Sequence, residues 1–356
     1  MKIKLCVLFG GRSSEYEVSL RSAASVLSHL HKENYEVVTV GITRGGRWLR
    51  SHASYDAIAD GTWIDDPANV PCVLSPDAGH HGLLYADGRV ERLDVVFPVM
   101  HGETCEDGAM QGLLTLSGVP FVGCGVAASA NTMDKAITKL FVERTSVKQA
   151  ETLVYDASVF LSDIEGNSEK AVRALSLPLF VKPARTGSSV GVSKVKEKSE
   201  LADAVREAAR YDDKVLLEEA LTGQEIECAV LGDARGEVRT SIVGEICPEQ
   251  EFYTYDAKYS DEGTLLYIPA RIPDEAAARV RADAETVFRT LECYGLSRAD
   301  FFLTPQGEVV FSEINAIPGF TSISMYPMLF EAAGLPYADL IDRLVALALD
   351  RGSHGL

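Results

Sequence analysis

The most chemically loaded stretch of the chain is RADFFLTPQGEVVFSEIN, residues 298–315, where an arginine, two carboxylates and an amide recur at strand spacing. Two strands joined by a two-residue Pro305-Gln306 loop pair Arg298 with Glu313 and Asp300 with Phe311. Alternation then sets Arg298, Asp300, Glu313 and Asn315 on one face. A three-residue loop would break that face. Hard oxygen donors at this density suit Mg²⁺ that keeps several waters and is shared with substrate phosphates. The same residues also fit a solvated hairpin face with an Arg–Glu cross-strand pair, worth up to about 1 kcal/mol.

A second stretch, VKPARTGSSVGV (181–192), follows the apolar LPLF. Lys182 is expected to bury its stem and point its ammonium into a cleft, where phosphate is a natural counter-charge; a snorkelling surface lysine is the alternative. RTGSSVG is not a Walker loop, yet its glycines and serines offer backbone N–H groups and hydroxyls to an anion. HGETCEDGAMQG (101–112) places His101, Glu103, Glu106 and Asp107 after a strand end. With no histidine four residues on, it reads as a substrate-positioning loop or a turn with helix-capping acids rather than a metal site. GGRSSEYEVS (10–19) lacks a dinucleotide fingerprint, and Glu15 there also fits a simple acid at a helix start. YTYDAKYSDEG (253–263), with Lys258 and Tyr259, reads as a lid or an exposed loop.

The elements that must position these residues are legible in the periodicity. KLCVLFGG followed by SLRSAASVLSHLHKENYEVVTVGIT is a βαβ unit, and so predicts a parallel sheet. DVVFPVMHGETCEDGAMQGLLTLSGVPFVG repeats strand, loop, helix and strand. A smaller α+β unit follows, with Lys135 and Lys139 on one helix. The last segment holds EIECAVLG, VRTSIVGEI, a helix over 274–292 and the pair already described. The fold class is α/β (α+β overall) in three domains, 1–125, 126–215 and 216–356.

A hydrophobic content of 46% over 356 residues supports a large core. A net charge of -18 argues against nucleic acid or an anionic membrane as partner. Seven scattered cysteines, without CxxC or Cys/His ligand spacing, fit reduced thiols in a cytoplasmic protein. No apolar run is long enough to cross a membrane or to serve as a signal peptide.

Taken in order, GGRSSEYEVSLRSA, VFPVMHGETCEDGAMQG, GCGVAASANTMDK, FVKPARTGSSVGV, EFYTYDAKY, SRADFF and FSEINAIPGFTSISMYP resemble the D-alanine–D-alanine ligase family of the ATP-grasp superfamily over nearly the whole chain. The resemblance implies a three-domain ATP-grasp fold and the joining of two D-alanines at the expense of ATP. Lys135, Lys182 and Lys258 would hold phosphates, and Glu218, Glu225 and the backbone of Ala220 and Leu221 the adenosine. Asp300, Glu313 and Asn315 would hold two Mg²⁺ ions, or Mn²⁺ in their place. Glu15, Ser188 and Tyr259 would form a hydrogen-bonded set over the substrates, and Arg298 with the Gly319 N–H would stabilise the oxyanion. Val18, His101, Ser324 and Met325 would line the amino-acid sites, and the lid 252–262 would exclude water. The resemblance further implies a homodimer.

By the same resemblance, an apolar Met325 beside Tyr259 favours the dipeptide product over D-serine or D-lactate products, for which an arginine stands at the Met325 position. Three residues depart from the family's pattern: Cys105 for a glycine, Thr115 for an acid and Ile323 for a polar residue. Cys105 matters most, because a glycine there could take a positive φ. Two other classes fit the residues less well. A nucleotide or amino-acid sensor would not require the metal and oxyanion groups, and a dinucleotide oxidoreductase lacks its fingerprint.

Overall fold

The apolar run near the start of the chain forms β1 (Ile3–Gly10), buried almost throughout. β2 (Tyr35–Ile42) and β7 (Val95–Val99) flank it in parallel. Helix Tyr16–His29 crosses between β1 and β2 and turns Val18, Leu20, Ala23 and Leu27 inward. The predicted parallel sheet is these three strands. β3 (Trp48–Ser51), β4 (Val70–Leu74), β5 (Gly82–Tyr85) and β6 (Val90–Arg92) extend it as an antiparallel wing, in the order β6-β5-β4-β3-β2-β1-β7. The cause lies in the β2–β3 connection, a tight turn closed by Gly46 N to Thr43 O at 2.8 Å. A parallel neighbour would need a crossover of a dozen residues or more.

This computed structural model describes residues 2–247 and 264–353. Lys258, Tyr259 and the lid range 252–262 lie outside the described residues.

A second, antiparallel sheet has the order β10-β9-β11-β8, from β8 (Thr152–Asp156), β9 (Leu179–Pro183), β10 (Ser193–Val195) and β11 (Lys214–Glu219). Helices Ala157–Ser162, Ile164–Leu175 and Leu201–Ala208 share its core through Phe160, Ala171, Leu175, Val205, Leu179 and Leu217. The third sheet is antiparallel too, ordered β14-β13-β12-β15-β16: β12 (Gln224–Asp233), β13 (Val238–Cys247), β14 (Leu265–Tyr267), β15 (Tyr294–Leu303) and β16 (Val309–Asn315). Helix Asp274–Thr290 covers one of its faces, where Ile226, Cys228, Val230, Ala299 and Phe301 meet Val280, Ala284, Val287 and Phe288. Alternation therefore sends Glu225, Glu227, Arg298 and Asp300 to the opposite face.

On that opposite side the first and third sheets share one core, in which Phe9 and Phe97 join Leu296, Phe320, Tyr326, Phe330 and Leu344. All seven cysteines are free thiols. Among the described residues, no helix is long and apolar enough to cross a membrane.

The β15–β16 hairpin corrects the expected register. The loop holds three residues, Pro305-Gln306-Gly307, with Thr304 and Glu308 bonded across it and Gly307 at φ +80°, the type I turn plus left-handed residue favoured at this length. Alone, that loop would split the face. A bulge near Ser312 restores it: beyond the Phe301–Phe311 pair the register shifts, so Asp300 lies opposite Glu313 and Arg298 opposite Asn315. The shared face survives, but Arg298 faces Asn315 and not Glu313.

Candidate active site

β12, β15 and β16 line up two rows of side chains on their common face. Glu227, Asp300 and Glu313 form one row, and Ala229, Arg298 and Asn315 the next. Arg298 donates from Nε to Asp300 Oδ1 and from Nη2 to Oδ2, both at 2.7 Å. Its Nε also lies 3.1 Å from Glu227 Oε2. Burial would weaken the cation, but Asp300 and Glu227 hold it firmly protonated, well above the ordinary guanidinium value. Asn315 donates from Nδ2 to Asp300 Oδ2 at 3.1 Å. Among the described residues, no three His, Cys, Asp or Glu side chains form a self-contained metal cage. Two carboxylates and an amide on one face fit Mg²⁺ that takes its remaining ligands from phosphate and water.

Lys135, on the helix ahead of the second sheet, faces these rows, while Lys139 and Lys182 gather on Glu218 of the second sheet. Asp134 caps helix Lys135–Val142 by accepting from Ala136 N and Ile137 N, which fixes Lys135 in the first turn. Lys135 Nζ donates to Thr186 O at 2.7 Å and lies 3.5 Å from Glu313 Oε2. Lys135, Thr186, Gly187, Glu106, Glu313 and Asn315 line one pocket.

Lys182 and Glu218 project from the same face of β9 and β11, since Leu216 pairs with Lys182 and Glu218 with Phe180. They form an ion pair. Lys139 Nζ reaches the other oxygen of Glu218 at 2.6 Å, and Thr152, directly opposite on β8, donates to it at 3.1 Å. Burial alone would raise the Glu218 carboxyl; Lys182 and Lys139 instead bring it down to about 2. Burial lowers the Lys139 ammonium in turn. Ala220 N bonds Pro178 O at 3.4 Å, and Leu221 is half-buried beside it. Glu225 lies near the start of β12, opposite Ile246 on β13 and Phe302 on β15.

Glu15 precedes helix Tyr16–His29 and is itself buried. It accepts a hydrogen bond from Ser188 Oγ, which joins the first sheet to the RTGSSVG loop. In that loop Ser188, Ser189 and Gly191 take left-handed φ values, so two serines carry conformations for which a glycine would be the usual choice. Gly102 is needed close by, because a Cβ there would lie 2.4 Å from Ser13 Oγ and 2.8 Å from Glu15 Oε2. Cys105 does not carry a positive φ; Gly102, Thr104 and Gly108 do. Its buried thiol packs against Gly11 instead, and burial pushes it up to about 12.

His101 is 4% exposed. Its Nδ1 faces Ile317 O at 3.0 Å and Glu106 Oε1 at 3.4 Å, and its Nε2 faces Ser22 Oγ at 3.2 Å. Burial, reinforced by the charge of Glu15, lifts the Glu106 carboxyl to about 7, while Glu106 raises His101 despite burial. Ser324 Oγ accepts from Thr321 N at 3.0 Å, and a Cβ on Gly319 would lie 2.8 Å from it. Among the described residues, nothing accepts from the Gly319 N–H. Val18 is buried in its helix, and Met325 is buried against Gly244, where a Cβ would meet its Cε at 2.2 Å.

Three contributors escaped the sequence reading of the site. Glu227 was signalled by the alternation in EIE, Lys139 by its place one helical turn after Lys135, and Ser22 only by its helix face.

The pocket in which Lys135 meets Glu313, beside one antiparallel sheet that carries Lys182 and another that carries Asp300 and Glu313, is that of an α/β protein of the ATP-grasp class. Comparison with known proteins narrows this. The model for the D-ala D-ala ligase N-terminus matches residues 4–124, and that for the D-ala D-ala ligase C-terminus matches residues 142–346. The chain belongs to the D-alanine–D-alanine ligase family and is an ATP-using ligase. It is 44% identical to a D-alanine–D-alanine ligase of Caldicellulosiruptor bescii, covering 98% of this chain and 96% of the relative. Identity to a D-alanine–D-alanine ligase A of Chromobacterium violaceum is 46%, covering 99% and 96%. Among solved structures, the VanG D-Ala:D-Ser ligase from Enterococcus faecalis superposes with a TM-score of 0.89 at 38% identity, covering 98% of this chain and 100% of that one. The D-alanine–D-alanine ligase from Coxiella burnetii gives 0.86 at 33% identity, covering 99% and 97%.

Proposed function

We propose that this enzyme joins two D-alanines into D-alanyl-D-alanine through an acylphosphate, supplying a cytoplasmic precursor of peptidoglycan. The observation that carries the reading is the approach of Lys135 Nζ to Glu313 Oε2 at 3.5 Å. A cation for phosphate and a carboxylate suited to a divalent metal stand side by side, as transfer of a γ-phosphoryl group requires.

In the first step a carboxylate oxygen of one D-alanine attacks the γ-phosphorus, the bond to the β-phosphate oxygen breaks, and ADP leaves. Lys135 and Lys182 hold phosphate oxygens, with Lys258 as a third cation. Glu218, Glu225 and the backbone of Ala220 and Leu221 take the adenosine. Asp300, Glu313 and Asn315 would hold two Mg²⁺ ions, whose charge would offset that of the phosphates. In the second step the neutral amine of the second D-alanine attacks the acyl carbonyl. The C–N bond forms, the C–O bond to phosphate breaks, and the nitrogen gives up a proton to phosphate or solvent. Arg298 and the Gly319 N–H receive the oxyanion. Glu15, Ser188 and Tyr259 tie the loops over the substrates, and Val18, His101, Ser324 and Met325 shape the amino-acid sites. The working unit is a homodimer of three-domain chains divided near residues 125 and 215.

The reading is tested with D-alanine labelled with ¹⁸O in its carboxylate. One ¹⁸O should pass to inorganic phosphate for each dipeptide made. Phosphate without label would exclude the acylphosphate.

A further inference from the structure

The loop that carries Gly319 is held by groups to which the proposed mechanism gives no such task. Ser22, in the middle of helix Tyr16–His29 and fully buried, accepts a hydrogen bond from Phe320 N at 3.3 Å through its Oγ. The same hydroxyl lies 3.2 Å from His101 Nε2. One hydroxyl satisfies both partners when it donates to Nε2 and accepts from Phe320 N, which leaves Nδ1 of His101 as the donor to Ile317 O. The carbonyl of Phe320 accepts from Tyr337 OH at 2.5 Å, and Ser25, one turn after Ser22, lies 3.1 Å behind that phenol. Phe320 is itself wedged against Phe97, Tyr326 and Tyr337.

The backbone of residues 317–320 is thus anchored at Ile317 O, Phe320 N and Phe320 O. Between the anchors, Pro318 has no N–H, and the N–H of Gly319 is the one donor left over. The anchors are buried, where hydrogen bonds are strong and a missing partner is costly. Every anchoring side chain except Tyr337 comes from the first-sheet half of the chain, whereas the loop follows β16 of the third sheet.

We propose that Ser22, with His101 and Tyr337, forms a clamp that aims the Gly319 N–H at the oxyanion of the second chemical step. Ser22 is a positioning residue: it touches no reacting atom and acts through the backbone of Phe320. The inference rests on the ligase reading above and deepens it, because it separates the two half-reactions. Phosphoryl transfer depends on the lysines and on the Asp300 row, which the clamp does not contact. Capture of the acylphosphate by the amine depends on the loop.

The test uses the full-length enzyme and measures two rates. D-alanine-dependent positional isotope exchange in ATP reports the first step, and single-turnover dipeptide formation reports the second. Ser22→Ala should slow dipeptide formation about tenfold or more and change exchange less than twofold. Ser28→Ala, an exposed position on the same helix, should change neither. Tyr337→Phe removes one hydroxyl at nearly constant volume and should show the same split, which keeps the test available if Ser22→Ala folds poorly. Equal slowing of both steps would reduce Ser22 to a packing role and overturn the clamp, as would no slowing of either. A wild-type enzyme that makes no dipeptide would instead overturn the ligase reading itself.

Discussion

Glu218→Gln puts the electrostatics of the nucleotide cleft to a quantitative test. Glu218 is 6% exposed, and it is the shared counter-charge of Lys139 and Lys182. Its carboxyl stands at about 2 against an ordinary 4.5. At about 1.4 kcal/mol per tenfold in proton affinity, the gap contributes about 3 kcal/mol of stability at neutral pH. Breaking a buried ion pair from one side costs about 3–5 kcal/mol by the same physics, because the other charges stay buried without compensation. The sign fixes the pH window. A depressed carboxyl stabilises fully above its unfolded value and loses that contribution as pH falls through the folded one. Urea unfolding of wild type and Glu218→Gln should therefore differ by about 3 kcal/mol at pH 7, and the difference should shrink as pH falls from 4.5 toward 2. Adding Lys139→Met should cost less in the Glu218→Gln background than alone, because the two groups act on each other. A loss below about 1 kcal/mol at pH 7, or one unchanged down to pH 3, would refute the reasoning.

Glu313→Gln should lower Mg²⁺-dependent turnover about a hundredfold or more while the thermal transition stays near that of wild type; steady-state kinetics with metal titration reads this. Gly319→Ala forces its Cβ against Ser324 Oγ at 2.8 Å, so dipeptide formation should fall about tenfold while ATP affinity, measured by calorimetry, holds. Glu106 is raised to about 7, the opposite sign to Glu218. Keeping it ionised costs the fold nothing below about 4.5 and most above 7, so Glu106→Gln should gain stability relative to wild type as pH rises through that window. Urea midpoints at pH 5 and pH 8 check the trend.

Much of this architecture is written locally. The βαβ start follows from apolar periodicity, and Asp134 before Lys135 is a legible helix cap. The β15–β16 face was reached by an incomplete route: a three-residue loop shifts the register one way and the bulge near Ser312 shifts it back. A bulge has no distinct residue signature, so two offsetting irregularities are invisible to alternation alone. The antiparallel wing β3–β6 is made of short strands whose partners are fixed by turn geometry rather than by composition. Cys105 avoids a positive φ because the left-handed positions of this loop fall on Gly102, Thr104 and Gly108. Long-range partnerships were the least legible: Ser22 with Phe320 spans 298 residues, and Lys139 meets Glu218 only once the second sheet has formed.

The central claim is tested most directly by identifying the product. Purified enzyme is given ATP, Mg²⁺ and D-alanine, alone and with D-serine or D-lactate in competition, and phosphate release is followed while products are separated by mass. The account predicts phosphate release with D-alanine alone, matched one to one by D-alanyl-D-alanine, and that dipeptide still dominant in competition. A dominant D-alanyl-D-serine or D-alanyl-D-lactate product would contradict the assigned specificity. No D-alanine-dependent release under any pairing would contradict the account as a whole.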